Sequence, residues 1–188
     1  GLRAQMTDTY ITWNRYPQFT IRGGQFRTPF GFEQLFTESK LSIVERSLPN
    51  DRLTLGRQMG VMAQGDLLEK RAAYALGAFN GAGVNNDLND NKDFVYVGRL
   101  SGVPWQTADG KGRLAVGADG YFSHDTAVTG LAPEFGLDST PGGTADNIFR
   151  GNRHGYGVDV QLHLDRFDLW GEYLGARFEP HNPVPARS

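Results

Sequence analysis

Alternation with a period of two dominates this sequence, and it restricts the chain to strands. Leu114, Val116, Ala118, Gly120 and Phe122 share one face, while Arg113, Ala115, Gly117, Asp119, Tyr121 and Ser123 share the other. Residues 156–164 repeat the pattern, with Tyr156, Val158, Val160, Leu162 and Leu164 set against Gly157, Asp159, Gln161 and His163. Phe167, Leu169, Gly171 and Tyr173 then alternate with Asp168, Trp170 and Glu172. The pattern predicts eight strands, at 4–14, 18–27, 57–67, 71–80, 93–103, 113–124, 153–164 and 167–177.

Their length narrows the choice. Strands of about ten residues exceed the ~5–6 usual in soluble proteins and match the ~9–11 that a tilted strand needs to cross a bilayer. At ~3.3 Å per residue and a ~45° tilt, such a strand rises about 23 Å, close to the ~25 Å apolar band of an outer-membrane barrel. The connections alternate between short (15–17, 68–70, 104–112, 165–166) and long (28–56, 81–92, 125–152). That asymmetry marks an antiparallel up-and-down barrel with tight turns at one end. Aromatic residues fall near strand ends, at Trp13, Phe19, Phe94, Phe122, Tyr156 and Phe167, where interfacial girdles are expected. The chain holds 25 glycines in 188 residues, and Gly60, Gly65, Gly77, Gly98, Gly117, Gly120, Gly157 and Gly171 lie inside predicted strands. Glycine weakens a packed core but costs less where an inner face borders water. On this reading Leu114, Val116, Phe122, Val158, Val160, Leu162 and Leu169 face lipid. A soluble barrel with its apolar face inward has the same alternation, so a soluble ligand-binding β-barrel stays open from the pattern alone.

Composition excludes other classes. No run of ~18 apolar residues exists to form a spanning helix. Cysteine is absent, so neither a disulfide framework nor a Cys-ligated metal is expected. A net charge of −2 provides no general basic field for nucleic acid. Length predicts a single unit, 1–188, and the opening Gly1-Leu2-Arg3 and the polar, proline-bearing HNPVPARS read as a segment of a longer protein.

Three strings occur in order. GGQFRTPFGFEQL at 23–35, VERSLPNDRLTLGRQMGVMAQG at 44–65 and YALGAFNGAG at 74–83 resemble the phosphate-selective porins O and P of Gram-negative bacteria. A weaker echo is GEYL at 171–174. The resemblance is good over about 18–102 and thin elsewhere. It implies a bacterial outer-membrane channel, trimeric, with a barrel of about sixteen strands, of which this chain would supply half. Independently of it, Pro29 stops strand pairing for want of an N–H, Gly31 permits a tight reversal and Asn80-Gly81 is a turn dipeptide.

Candidate sites follow from charge. Arg22 and Arg99 project from the polar faces of the second and fifth strands, together with Asp66, Asp119, Asp159, Asp168 and Glu172. Residues 15–57 carry net charge +3 and residues 58–188 carry −5, so the basic excess falls on the first long loop and its flanks. Arg22, Arg27, Lys40, Arg46, Arg52, Arg57 and Arg99 are therefore the candidate pore-lining, anion-binding residues. Arg46 and Arg52 lead, because the resemblance implies that the loop 28–56 can fold into the pore. Glu38, Glu45 and Asp51 in the same loop oppose them. The loop 85–93, NNDLNDNKD, alternates oxygen-bearing residues, but Lys92 and Gly98 stand where an EF-hand needs Gly and Glu. The histidines show no ligand spacing, and Ser123-His124-Asp125 cannot act as a triad, since neighbours in a strand point to opposite faces. GKGR at 110–113 lacks the upstream glycine of a P-loop.

The sequence thus predicts a non-enzymatic outer-membrane channel without cofactor or metal. It would pass small ions by diffusion, phosphate or other anions being favoured, with membrane lipid and a homotrimer as partners. A small closed eight-stranded outer-membrane barrel with a structural or adhesive role is the other membrane reading.

Overall fold

The computed structural model describes residues 7–35, 47, 50, 53–81, 94–129 and 148–180. Eight strands follow in chain order: β1 (Thr9–Tyr16), β2 (Phe19–Arg27), β3 (Arg57–Leu67), β4 (Ala72–Phe79), β5 (Val95–Gln106), β6 (Gly112–Thr129), β7 (Ile148–Leu164) and β8 (Phe167–Pro180). Each pairs antiparallel with the next, giving one sheet in the order β1 to β8. The fold is all-β and up-and-down, the architecture of a porin barrel segment; the sheet is not closed, and β1 and β8 form its edges. Helix is scarce among the described residues: α1 is the four residues Phe32–Leu35, and Asn50 and Leu53 on the returning limb are also helical.

Tight turns join β1 to β2, β3 to β4, β5 to β6 and β7 to β8, so all four lie at one end of the sheet. At the β5–β6 turn, a hydrogen bond from Thr107 and the Lys111 backbone N–H hold the Asp109 carboxyl below the usual carboxylate range. Several strand boundaries differ instructively from expectation. β5 continues past Pro104 to Gln106, because a register shift between Gly102 and Trp105 absorbs the residue that cannot donate to the ladder. β6 and β7 run on beyond Asp125 and begin before Asn152, pairing Val128 with Phe149 and Thr129 with Ile148. The polar stretch hid them, because ladder hydrogen bonds belong to the backbone and continue where the side-chain alternation fades. β1 starts at Thr9 rather than at 4 and extends to Tyr16, with an irregularity between Trp13 and Tyr16.

The two faces separate as the alternation requires. Ile11 is 83% exposed, Val61 57%, Leu76 59%, Leu100 59%, Val158 55% and Leu169 67%. Soluble monomers rarely expose contiguous apolar patches beyond roughly a few hundred Å², so this face suits lipid. Val116, Phe122 and Val160 share it. Leu114 and Leu162 are half-buried and pair across β6 and β7 at the same parity. Aromatic rings mark the two ends of this belt. Trp13, Tyr16 and Phe19 cluster at the turn end, with ring centroids 6.2 and 6.3 Å from Trp13. Phe94, Tyr96, Phe122 and Tyr156 stand exposed toward the other end.

The inner face is not uniformly water-lined. Phe26, Phe30, Met62, Phe79, Val95, Val97 and Tyr121 form a buried cluster on it. Several strand glycines serve this packing. A Cβ on Gly77 would sit 2.5 Å from the Phe79 ring, and one on Gly155 would sit 1.9 Å from the Tyr121 ring. These glycines make room for neighbouring rings, a different reason from the wet inner face expected of them.

The face assignment makes a testable contrast. A charge at bilayer mid-depth costs about 2–4 kcal/mol. Val160→Arg should therefore sharply reduce the fraction that folds into lipid vesicles, read as the heat-sensitive band shift on gels, whereas Gln161→Arg should fold almost as wild type. Equal folding yields would contradict the faces.

Candidate functional site

The inner face is shaped by the segment that follows β2. Pro29 ends strand pairing, and the two limbs of the long connection are joined at its neck, where Thr28 donates to Gly56 O from its N–H (3.0 Å) and its hydroxyl (3.2 Å). Gly31 then turns the chain with φ +83°; a Cβ there would lie 2.8 Å from Thr54 Cγ2. Only glycine meets both demands cheaply. The turn carries Phe30 inward, where it is fully buried and meets Tyr121 of β6 edge-on at 4.8 Å.

Beyond Phe30 the backbone is captured by carboxylates on the far strands. Gly31 N donates to Asp119 Oδ2 of β6 at 3.3 Å. Phe32 N donates to Glu172 Oε1 of β8, and Glu33 N donates to Glu172 Oε2 at 3.3 Å. Asn50, on the returning limb, donates its side-chain amide to the same Oε2 at 3.2 Å. Glu33 is itself buried and accepts from Ser47 N (2.9 Å) and Ser47 Oγ (2.6 Å). The segment therefore lies across the inner face instead of standing away from the sheet.

The candidate cations divide into distinct situations. Arg99 faces Asp119 directly across β5 and β6 and donates to it, while its other terminal nitrogen donates to Asp159 Oδ2 at 2.5 Å. The Arg99 side chain is 9% exposed and each aspartate 1%. Glycines create the space: a Cβ on Gly117 would lie 2.2 Å from Asp159 Oδ2, and one on Gly157 would lie 2.3 Å from Asp119 Oδ1. One guanidinium thus serves two carboxylates and has no terminal nitrogen pair turned to the cavity alone. Arg57 forms a forked pair with Asp8, at 3.1 and 3.3 Å. Arg27 donates to Gln34 O at 2.9 Å, which ties it to α1.

Arg22 is held differently. Its guanidinium carbon stands 4.3 Å from the Tyr10 ring centroid and 5.6 Å from that of Phe26, and Nε has no hydrogen-bond partner. Among the described residues it has no carboxylate partner. Aromatic faces fix a guanidinium without cancelling its charge.

Arg22, Arg27, Arg57 and Arg99 all line one cavity of about 410 Å³. A second, of about 310 Å³, lies toward the turns and is lined by Lys70, Arg71, Arg99 and Arg113, with Phe32 and Leu35 of the crossing segment. Arg99 and Leu35 belong to both walls. Sequence reasoning missed Lys70, Arg71 and Arg113. Arg113 was open to discovery, because it shares the parity of Ala115, Gly117 and Asp119. Lys40, Arg46, Arg52 and the loop 85–93 lie outside the described residues. His124 contacts Asn152 Oδ1 at 2.7 Å, while Ser123 is buried on the inner face.

An antiparallel up-and-down sheet with an apolar outer belt, aromatic margins and a charged inner face crossed by its own loop is the arrangement of a segment of a porin-like β-barrel. Among such barrels the chain belongs to the phosphate-selective porin O and P family, whose sequence profile matches residues 1–129. The match extends beyond the three strings that carry the resemblance, at both ends. The family is one of channels rather than enzymes. No curated protein matches the chain.

Removing one partner of a buried ion cluster costs about 3–5 kcal/mol, because it strands the remaining charge. Arg99→Met should lower stability by that order in urea unfolding. The triple variant Arg99→Met, Asp119→Asn, Asp159→Asn should recover much of the loss. A single variant as stable as wild type would remove the cluster from the list of structural determinants.

Proposed function

We propose that this chain is part of an outer-membrane channel that passes small anions, phosphate among them, by passive diffusion. Family membership supports the channel and the phosphate class. The observation within the chain that carries anion preference is Arg22, oriented by Tyr10 and Phe26 and, among the described residues, without a carboxylate partner, at a cavity it shares with Arg27, Arg57 and the Asp8 that pairs with Arg57. A guanidinium stays charged at any working pH, and its planar fork suits tetrahedral oxyanions. Between low-dielectric walls a few such groups act more strongly than on an open surface. Arg46 and Arg52, with Lys40, would add to this from the same long connection. Arg99 contributes chiefly as part of the wall, since Asp119 and Asp159 occupy it.

The assembly we propose follows the family: a closed barrel of about sixteen strands to which this chain supplies half, three such barrels together in bacterial outer-membrane lipid. Single occupancy of the lipid bilayer by a closed eight-stranded barrel fits less well with two unpaired sheet edges.

The test is the zero-current potential of the full-length channel across a salt gradient. Wild type should favour anions modestly. Arg22→Ala should shift the potential toward cations, and the Arg46→Ala, Arg52→Ala double variant should shift it further. A cation-selective wild type, or no shift in any variant, would retain channel activity and remove the anion reading.

A further inference from the structure

We propose that Glu172 is the positioning residue for the narrow part of the passage: with Asp119 beside it, it holds the segment Thr28–Leu35 across the inner face and so sets the size of solute that passes. The inference rests on the channel reading above. Its carrying observation is distance along the sheet. The segment leaves β2, yet its backbone is bound by β8, six strands away in the sheet order. At ~4.8 Å per strand that is about 29 Å around the wall. A connection that reaches so far must cross the concave face.

Ser47 bonds the Glu33 carboxylate, Arg27 bonds Gln34 O and the Arg99 guanidinium stands 6.0 Å from the Phe32 ring centroid, but the backbone N–H groups of the tip are taken by the far strands. Phe30 anchors its base against Tyr121. Beyond it, the N–H groups of Gly31, Phe32 and Glu33 stand at the start of a four-residue helix, where no intrahelical acceptor exists for them. Asp119 takes the first and Glu172 the next two. Glu172 also takes the Asn50 amide, so one carboxylate ties the outgoing and returning limbs together. Asp119 is shared with Arg99, whereas among the described residues Glu172 has no cation partner and its oxygens are given to the segment. Hydrogen bonds to an ionised carboxylate are the strong kind, and donors that lose such an acceptor in a closed site are costly to leave unpaired. Phe32 meets Trp170 of β8 at 6.2 Å, but that contact fixes no direction. Leu35, at the end of this tip, lines both cavities, so moving the tip changes the way between them.

The experiment uses the full-length channel with Glu172→Ala and Glu172→Gln. Glutamine keeps one acceptor, loses the charge and turns an amide donor toward a donor. Two readouts are taken on protein that retains its heat-sensitive fold. Amide hydrogen exchange of the peptide covering 28–35 should quicken at least tenfold in Glu172→Ala and by less in Glu172→Gln. Neutral polymers of graded size, added to the bath, should enter and lower the conductance at larger radii than in wild type, in the same order. Phe32→Pro removes the donor from the other side of the contact, at a helix position that tolerates proline; it should act in the same direction, and it serves if the Glu172 variants fold poorly. Unchanged exchange and an unchanged size limit would overturn the proposal while the channel reading stands. Faster exchange with an unchanged size limit would also overturn it, since the segment would then be held by Glu172 without setting the passage. A folded wild type that carries no current would overturn the channel reading itself, and the role of Glu172 in sizing with it.

Discussion

Every backbone N–H and C=O in a lipid-facing strand must find a partner within the protein, because hydrocarbon offers none. The ladder from β1 to β8 meets this demand for β2 to β7 and leaves β1 and β8 with one open edge each, and the rest of the architecture follows from it. Once neighbours are paired in register, side chains have only two directions. One is the outer face, where Val61, Leu76, Leu100, Val158 and Leu169 stand exposed. The other is the inner face, where the charges and the crossing segment must be accommodated together.

The inner face solves that problem with three different partners for arginine. Aromatic rings hold Arg22 and leave its charge in place. One carboxylate, Asp8, meets Arg57. Two carboxylates meet Arg99, in a space that exists because Gly117 and Gly157 carry no side chain. Residues of one type in one cavity thus differ in the charge they present to its interior. Counting arginines would have treated them as equal.

The same face carries two carboxylates whose role is not to meet cations alone. Asp119 serves Arg99 and the Gly31 N–H together, and Glu172 serves three donors of the long connection. Wall and crossing segment are therefore one hydrogen-bonded unit, with Phe30 and Tyr121 as its apolar hinge point. The ion cluster of the wall and the crossing segment are linked through Asp119, the group common to both.

Strand number, strand order and face were legible in the sequence, because a period of two is a local property and each strand states it alone. The alternation at 113–124 and 153–164 placed Asp119 and Asp159 on the face of Arg99 without any knowledge of the fold. Legibility failed where backbone pairing outran side-chain pattern, as at the far ends of β6 and β7, and where a bulge let Pro104 remain within β5. Which residues of the inner face touch was decided by the tertiary structure. Register sets Arg99 against Asp119, and curvature of the sheet brings β8 within reach of a segment that leaves β2. Glu172 and Phe32 lie 140 positions apart, and no local pattern in a chain encodes a hydrogen bond over that separation.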